Sequence, residues 1–541
     1  MQDKEATRVS TLRERISATR TRARKEAAAN LPTLAETGLA MLSALLLVLS
    51  FPDFNLWPLA WIALAPLFIA IARRPQTKRS FLLGWLTGTL YFYGSCYWLT
   101  YSPIRYGGIP APIAYFLLLP ITLIVGLFPA LCCAALAQMI RRWGARALFV
   151  APFAWTACEW ARLGATGQLW NAVGYSQAYQ PFLIQAARWG GVYVISFLIV
   201  TANAAITYAY LQKNIRAYST AAILILGIAM LTACLNEYVF RYSLRKVRAE
   251  AYVIAVQPNV PMTPATSLAE TAALVNRHLL LSEKKLLEAN DAQVEIPRIV
   301  VWPESPMNFQ YTRDTQFREF VAGFARRNHT SVLFNALEPA PANGAYNAAV
   351  LVNEDGRLVA QYDKIRLLPF GEYIPLPRWL PFVNMIPVMV GDFTPGAEYP
   401  LMPLGNDVRA GVFICFESAF PGITRNFVAN GADVLINISN DGYLGPTPVM
   451  RQHLANAVFR AVENDRPVLR VTNTGITAYI TARGEVLDAT KSFQPDVRAW
   501  TINRSNGVKT FYTQHGDLFA GICALISLVF VAAAWRRKPI R

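Results

Sequence analysis

The stretch Gly411-Val412-Phe413-Ile414-Cys415-Phe416-Glu417-Ser418 holds the only cysteine between Glu237 and Gly516. An apolar run that delivers one thiol beside a carboxylate, with small residues just beyond, reads as a strand ending in a sharp turn that presents a nucleophile. Two further polar residues stand in comparable settings at wide spacing. Glu304 closes Val300-Val301-Trp302-Pro303-Glu304, where a buried strand stops at a proline and leaves a carboxyl at its end. Lys364 sits in Tyr362-Asp363-Lys364-Ile365-Arg366-Leu367. Glu372, in Phe370-Gly371-Glu372-Tyr373, and Glu417 are candidate supports. Singly, each has an ordinary reading: a strand-end carboxylate, a solvated lysine, a buried strand cysteine.

Taken together and in this order, Glu304, Lys364 and Cys415 with their local contexts resemble the Glu-Lys-Cys triad of the nitrilase superfamily, over residues 250–505. The resemblance implies an αββα sandwich and a role for each residue. A thiol with an ordinary pKa of about 8.5 is only slightly ionised at neutral pH, so it needs a base. Glu304 is the candidate general base, since a partly desolvated carboxylate is more basic than one in water. Lys364 supplies fixed positive charge to the oxyanion that forms when the Cys415 thiolate adds to a carbonyl, helped by the backbone N–H after Cys415. Glu372 orients Lys364 or assists proton traffic, and the product of the first half-reaction is an acyl thioester on Cys415.

The elements that must position these residues begin near residue 251, where short β-type runs alternate with helical segments. Strands are expected at 252–256, 298–302, 331–336, 348–353, 409–415, 434–438, 468–472 and 477–481. Helices are expected at 267–289, 313–328, 420–430 and 449–464. Such a mixture over residues 237–516 gives a layered α/β domain. Two loops are expected to face the site. Asn440-Asp441-Gly442-Tyr443-Leu444-Gly445 follows a buried strand, and Asn440 and Tyr443 are candidate substrate contacts. The apolar, proline-punctuated 379–390 stretch is expected to form a lid or arm touching the membrane, with Trp379, Phe382, Met385 and Met389 as lipid contacts.

The first half of the chain has a different character. With 541 residues, 54% of them hydrophobic, and a mean hydropathy of +0.28, the protein is too apolar for a soluble chain of this size. Runs of spanning or near-spanning length occur at 36–50, 56–72, 81–100, 112–139, 147–163, 190–211 and 218–236, with an eighth at 518–535. The net charge of +17 is not a nucleic-acid footprint, because residues 237–516 carry 27 Lys and Arg against 26 Asp and Glu. The excess lies beside apolar runs. Residues 1–35 form a basic tail (Arg8, Arg13, Arg15, Arg20, Arg22, Arg24, Lys25), expected to stay uncleaved on an anionic membrane surface. Alternate loops hold Arg73, Arg74, Lys78 and Arg79; Arg141, Arg142 and Arg146; and Lys213 and Arg216. The positive-inside rule then puts both termini in the cytoplasm and residues 237–516 across the membrane, in a bacterium the periplasm. Glu159 and Arg162, three apart near the outer end of the fifth run, read as a self-satisfied ion pair or as a headgroup or cavity contact. The outer loop 164–190, with Gln168, Trp170, Asn171, Tyr175 and Gln177, suits an interfacial segment under the polar domain.

A nitrilase-like domain inserted between a seventh and an eighth span is similar to the bacterial apolipoprotein N-acyltransferases, over essentially the whole chain beyond the basic tail. That resemblance implies an inner-membrane enzyme working as a monomer. It would take an acyl chain from a phospholipid, usually phosphatidylethanolamine, and pass it to the α-amino group of the diacylglyceryl-cysteine of apolipoproteins. No cofactor is implied, and the four scattered histidines show no metal-ligand spacing. Phe416 and Tyr443 stand where the family often has tyrosine and tryptophan, and no tryptophan lies near Thr266. The alternatives are a membrane-anchored nitrilase-like amidohydrolase or acyltransferase acting on another amine, and a transporter or scaffold with a decayed domain.

Overall fold

The structure, a computed structural model, describes residues 31–243, 249–262, 267–304, 309–341, 344–374 and 392–536. The basic tail up to residue 30, the whole 379–390 arm and Thr266 lie outside the described residues, and so do Trp379, Phe382, Met385 and Met389.

Helices occupy the apolar runs of the first half: α1 (Leu34–Ser50), α2 (Ala65–Arg73), α3 (Thr77–Ser95), α4 (Ala111–Trp143), α5 (Ala151–Thr166), α6 (Val192–Gln212) and α7 (Ile215–Ser243). The eight expected spans are not all met by length and composition. Four stretches qualify among the described residues: Ala111–Thr166, Val192–Gln212, Ile215–Arg241 and Leu518–Trp535. The first of these covers both α4 and α5. As one helix its 56 residues would run about 84 Å, far more than a bilayer, and the chain breaks at Gly144 (φ 64°). The segments that fall short do so for visible reasons. α1 has 17 residues, the 57–73 stretch is divided into short turns around Pro58 and Pro66, and α3 opens on Lys78 and Arg79. Arg79 is fully buried and pairs with Glu36 of α1, which neutralises its charge inside the bundle.

The second half alternates β1 (Ala249–Gln257), α8 (Leu268–Asp291), β2 (Arg298–Val301), α9 (Thr315–Asn328), β3 (Ser331–Pro339), β4 (Ala345–Val352), β5 (Leu358–Asp363), β6 (Leu401–Gly405), β7 (Val408–Ile414), α10 (Pro421–Ala429), β8 (Val434–Ser439), α11 (Val449–Asn464), β9 (Val468–Thr472), β10 (Ala478–Ile480), β11 (Val486–Leu487) and β12 (Asp496–Asn503). The last helix, α12, spans Leu518–Trp535. The strands form two six-stranded sheets, ordered β12-β1-β2-β3-β4-β5 and β11-β10-β9-β8-β7-β6. β1, β2 and β3 run parallel, as do β7, β8 and β9.

Strand alternation puts two apolar faces on each sheet. Val253, Ile299, Val301, Leu333 and Leu351 of the first sheet share a core with Val412, Ile414, Ile436 and Ile438 of the second. The opposite face of the first sheet, with Ile254, Val300, Val332, Phe334 and Val350, forms a separate core with Leu286 of α8 and Phe317, Val321 and Phe324 of α9. α10 and α11 cover the second sheet, completing the helix-sheet-sheet-helix layering expected from the sequence. α11 is buried along its whole length and touches α10 on one side and elements of the membrane part on another.

Candidate active site

In both sheets the parallel strands end on one side, where ligands bind in layered α/β folds. β2 runs into Trp302-Pro303 and leaves Glu304 at its end, β5 leaves Lys364, and β7 leaves Cys415. Cys415 adopts φ +51°, a left-handed conformation that is rare for a side-chain-bearing residue and turns the strand abruptly into the 3-10 turn Cys415–Ala419.

Lys364, 1% exposed at its side chain, donates to Glu372 Oε1 at 2.8 Å and lies 3.7 Å from Glu304 Oε1. Burial alone would strip its proton, but Glu372, Glu304 and Cys415 hold its pKa above the ordinary lysine value, so it is a fixed cation. Burial, Glu304 and Asp441 push the Cys415 thiol well up, opposed by Lys364 and a hydrogen bond with Ser439. At rest Cys415 is therefore a thiol rather than a thiolate.

The expected supports divide. Glu372 accepts from Lys364, from Asn347 Nδ2 at 2.7 Å and from the Leu368 N–H at 2.7 Å. Glu417 does not bond Lys364. It accepts from the N–H groups of Ile365, Arg366 and Ile414 and from the Tyr362 hydroxyl, tying the lysine loop to the nucleophile turn. Asn440 meets the site through its backbone, whose N–H donates to Glu304 Oε2 at 3.1 Å. Tyr443 rests edge-on against Tyr106 of the membrane part, and its carbonyl accepts from Ser102. Tyr101 presses on Gly445, where φ is +66° and any Cβ would collide with the ring.

Residues 43–205 match the family model described as the apolipoprotein N-acyltransferase N-terminal domain, and residues 255–510 match the one described as carbon-nitrogen hydrolase. The chain is also similar to the apolipoprotein N-acyltransferase of Geobacter metallireducens, 33% identical over 93% of this chain and 96% of that one. The chain belongs to the apolipoprotein N-acyltransferase family. Its counterpart from Bordetella bronchiseptica is 30% identical over 90% of this chain and 94% of that one, and that from Chlorobaculum tepidum 28% over 92% and 96%. The protein is thus an acyltransferase of the nitrilase superfamily with its catalytic fold joined to membrane helices.

Sequence reasoning missed several residues of this acyltransferase site. Asn347 of β4 donates from one amide nitrogen to both Glu304 Oε1 (3.0 Å) and Glu372 Oε1 (2.7 Å), holding the two carboxylates around Lys364. Asp441, His453 and Arg470 form a buried chain beneath Cys415. Arg470 Nη2 donates to Asp441 Oδ2 (2.6 Å), His453 Nδ1 meets Asp441 Oδ1 (2.8 Å), and His453 Nε2 meets the Cys415 carbonyl (2.9 Å). Gln452, beside His453, bonds the membrane part. The signal for these lay in α11, whose sequence places Gln452, His453, Asn456, Arg460, Glu463 and Asn464 on a helix too apolar elsewhere to be solvated. Glu159 and Arg162 are not an ion pair with each other among the described residues. Glu159 accepts from Trp155 and the Val173 N–H, and Arg162 donates to the Trp170 carbonyl, so both brace the 168–173 loop under the site.

Proposed function

We propose that the enzyme transfers an acyl chain from a phospholipid, through a thioester on Cys415, to the α-amino group of the diacylglyceryl-cysteine at the N-terminus of an apolipoprotein. The observation that carries this reading is the cluster of Cys415, Lys364 and Glu304 on the side of the sandwich where Tyr101, Ser102 and Tyr106 of the membrane part meet the 441–445 loop. Two lipidic substrates need a site at the bilayer surface; a soluble amide does not.

In the first half-reaction Glu304 takes the thiol proton as Cys415 Sγ adds to the ester carbonyl. The oxyanion is met by the Lys364 ammonium and by the N–H groups at the start of the 415–419 turn, which have no partner within the turn. Collapse breaks the ester C–O bond, and Glu304 returns the proton to the departing lysophospholipid alkoxide. In the second, the acceptor amine adds to the thioester and gives a proton to Glu304. The tetrahedral adduct then expels the Cys415 thiolate, which recovers that proton, leaving an amide and free enzyme. The donor is a phosphatidylethanolamine, the apolar helices lie in an inner membrane, and the catalytic domain faces the periplasm with both termini cytoplasmic. The enzyme acts as a monomer.

Incubation with phospholipid labelled in its acyl chains tests the nucleophile, donor and reaction class together. Label should attach through a hydroxylamine-sensitive bond, discharge onto a diacylated lipopeptide, and be lost in Cys415→Ala. Undiminished labelling of that variant would overturn the reading.

A further inference from the structure

Gln452 and His453 are neighbours on α11, yet they face different halves of the molecule. The Gln452 Oε1 accepts from Trp98 Nε1 (3.0 Å), Trp170 Nε1 (3.0 Å) and Asn171 Nδ2 (3.4 Å), all in the membrane part. Its Nε2 donates to the carbonyls of Ser95 (2.9 Å) and Pro52 (3.2 Å), also in the membrane part. An indole N–H can only donate and a carbonyl can only accept, so the amide has one orientation that satisfies all five contacts. Gln452 is 3% exposed, so these bonds are made away from bulk solvent.

His453 sits over the nucleophile. Its two ring nitrogens face two acceptors, the Asp441 carboxylate and the Cys415 carbonyl. A neutral ring donates on one side only; burial and Arg470 push the ring toward that neutral form, while Asp441 and the Cys415 carbonyl favour the doubly protonated one. Arg470 and Ser439 also donate to Asp441, fixing the carboxylate that holds the ring, and the Trp170 ring lies 5.6 Å from the imidazole. The carbonyl that His453 grips belongs to the residue with φ +51°, where a strained backbone needs support from its surroundings. Trp170 makes a second connection: it stacks on Phe416, at 5.7 Å between centroids and 18° between planes, while donating to Gln452.

We infer that Gln452 and His453 form one positioning unit through which the membrane part sets the conformation of the Cys415 turn. It rests on the reading of Cys415 as nucleophile. Gln452 keys α11 to the ends of the membrane helices, His453 carries that register to the Cys415 carbonyl, and Trp170 fixes the neighbouring Phe416. Neither Gln452 nor His453 reacts with substrate in this scheme; they hold the thiol where attack is productive.

The test uses the full-length enzyme in detergent micelles. Gln452→Glu keeps the shape and the acceptor but sets a second acceptor against the Ser95 and Pro52 carbonyls. Trp170→Phe keeps a ring against Phe416 and removes the N–H to Gln452 together with the rest of the pyrrole ring. Alkylation of Cys415 by iodoacetamide, followed by mass spectrometry of its peptide as pH rises through the thiol range, reports the turn without any acyl donor. Gln452→Glu should displace that profile and lower kcat on the order of 10- to 100-fold at unchanged KM for phospholipid, the scale of a small misplacement of a reacting group. Trp170→Phe should move both in the same direction by less. A folded Gln452→Glu with a wild-type alkylation profile would overturn the inference, and if that variant does not fold, an unmoved profile in Trp170→Phe does so. A displaced profile in an enzyme that takes no acyl group from phospholipid would leave this inference standing and overturn the donor reading instead.

Discussion

The sheet that carries Glu304 is covered on its outer face by α8 and α9 of the same domain, whereas the sheet that carries Cys415 is covered by α10 and α11 and, beyond α11, by the membrane part. The first sheet's outer core is closed: Trp302, Phe317, Phe324 and Phe334 pack on one another and reach no membrane helix. The second sheet's core is continuous with residues such as Leu148, Leu169 and Trp170. The polar chemistry follows the same division. Around Glu304, the residues Asn347, Glu372, Lys364 and the Asn440 N–H satisfy one another within the domain. On the nucleophile side the chain Arg470-Asp441-His453-Cys415 lies one residue from Gln452 and its five bonds to the membrane part. The difference teaches that the Glu304 cluster is held within the sandwich alone, while the Cys415 turn lies next to a residue, Gln452, whose side-chain bonds all go to the membrane half.

Arg470→Leu is the heaviest blow to this picture. Arg470 and Asp441 are both essentially unexposed, so removing the guanidinium leaves a buried carboxylate with His453 and Ser439 as its partners among the described residues. Breaking a buried pair in this way costs about 3–5 kcal/mol. Thermal unfolding in detergent should show most of the folded population lost. A variant as stable as wild type would mean the nucleophile side does not depend on this chain.

Acid gives the same contrast without that mutation. Burial alone would raise the Asp441 pKa, but Arg470 and His453 hold it well below the ordinary carboxylate range. Because its folded value is depressed, its contribution to stability is fully present above the unfolded value of about 3.9 and is lost as pH falls through the folded one. The stability gap between wild type and Asp441→Asn should therefore be widest near neutrality and narrow below about pH 4. A gap independent of pH would show that the charge on Asp441 is not what holds the turn.

Much of this was legible in the sequence. The eight expected strands correspond to β1, β2, β3, β4, β7, β8, β9 and β10, the interior strands of the two sheets. The four that escaped, β5, β6, β11 and β12, are the four edges. Edge strands are half-exposed and carry features that blunt pairing, here Pro403 in β6 and Asp496 and Arg498 in β12, so their apolar pattern is weak. Glu304, Lys364 and Cys415 could be found because each ends a strand or turn that has a pattern of its own. Asn347 could not, because an asparagine inside a strand has no signature until β4 lies between Glu304 and Glu372. The polar face of α11 marks Gln452 and His453, but not what they meet: the partners are 12 and 38 residues away for His453 and more than 280 for Gln452.

Asn347→Ala probes the base side at its own centre. Removing the amide takes the shared donor from Glu304 and Glu372, two buried or part-buried acceptors, at about 1–3 kcal/mol. Acyl transfer should fall about tenfold or more, the rate equivalent of 1.4 kcal/mol. The pH profile of Cys415 alkylation should stay near wild type, since the His453 grip is intact. An alkylation change as large as that of Gln452→Glu would erase the distinction between the two sides.

The smallest effect is expected furthest from the membrane part. Trp302 fills the outer core of the first sheet and donates from Nε1 to the Ser282 hydroxyl at 3.0 Å. Trp302→Phe keeps an aromatic ring against Phe324 and Phe334 and gives up that hydrogen bond, a loss of about 1 kcal/mol. Trp302 is also only two residues before Glu304, so if strain on this sheet reached the nucleophile by any route, this substitution would carry it. The separate cores predict otherwise: a slightly lower melting temperature, an unchanged Cys415 alkylation profile and an unchanged KM for the acyl donor. A displaced alkylation profile here would mean that the two sheets act as one body, and that the membrane part's hold on Cys415 extends through the whole sandwich.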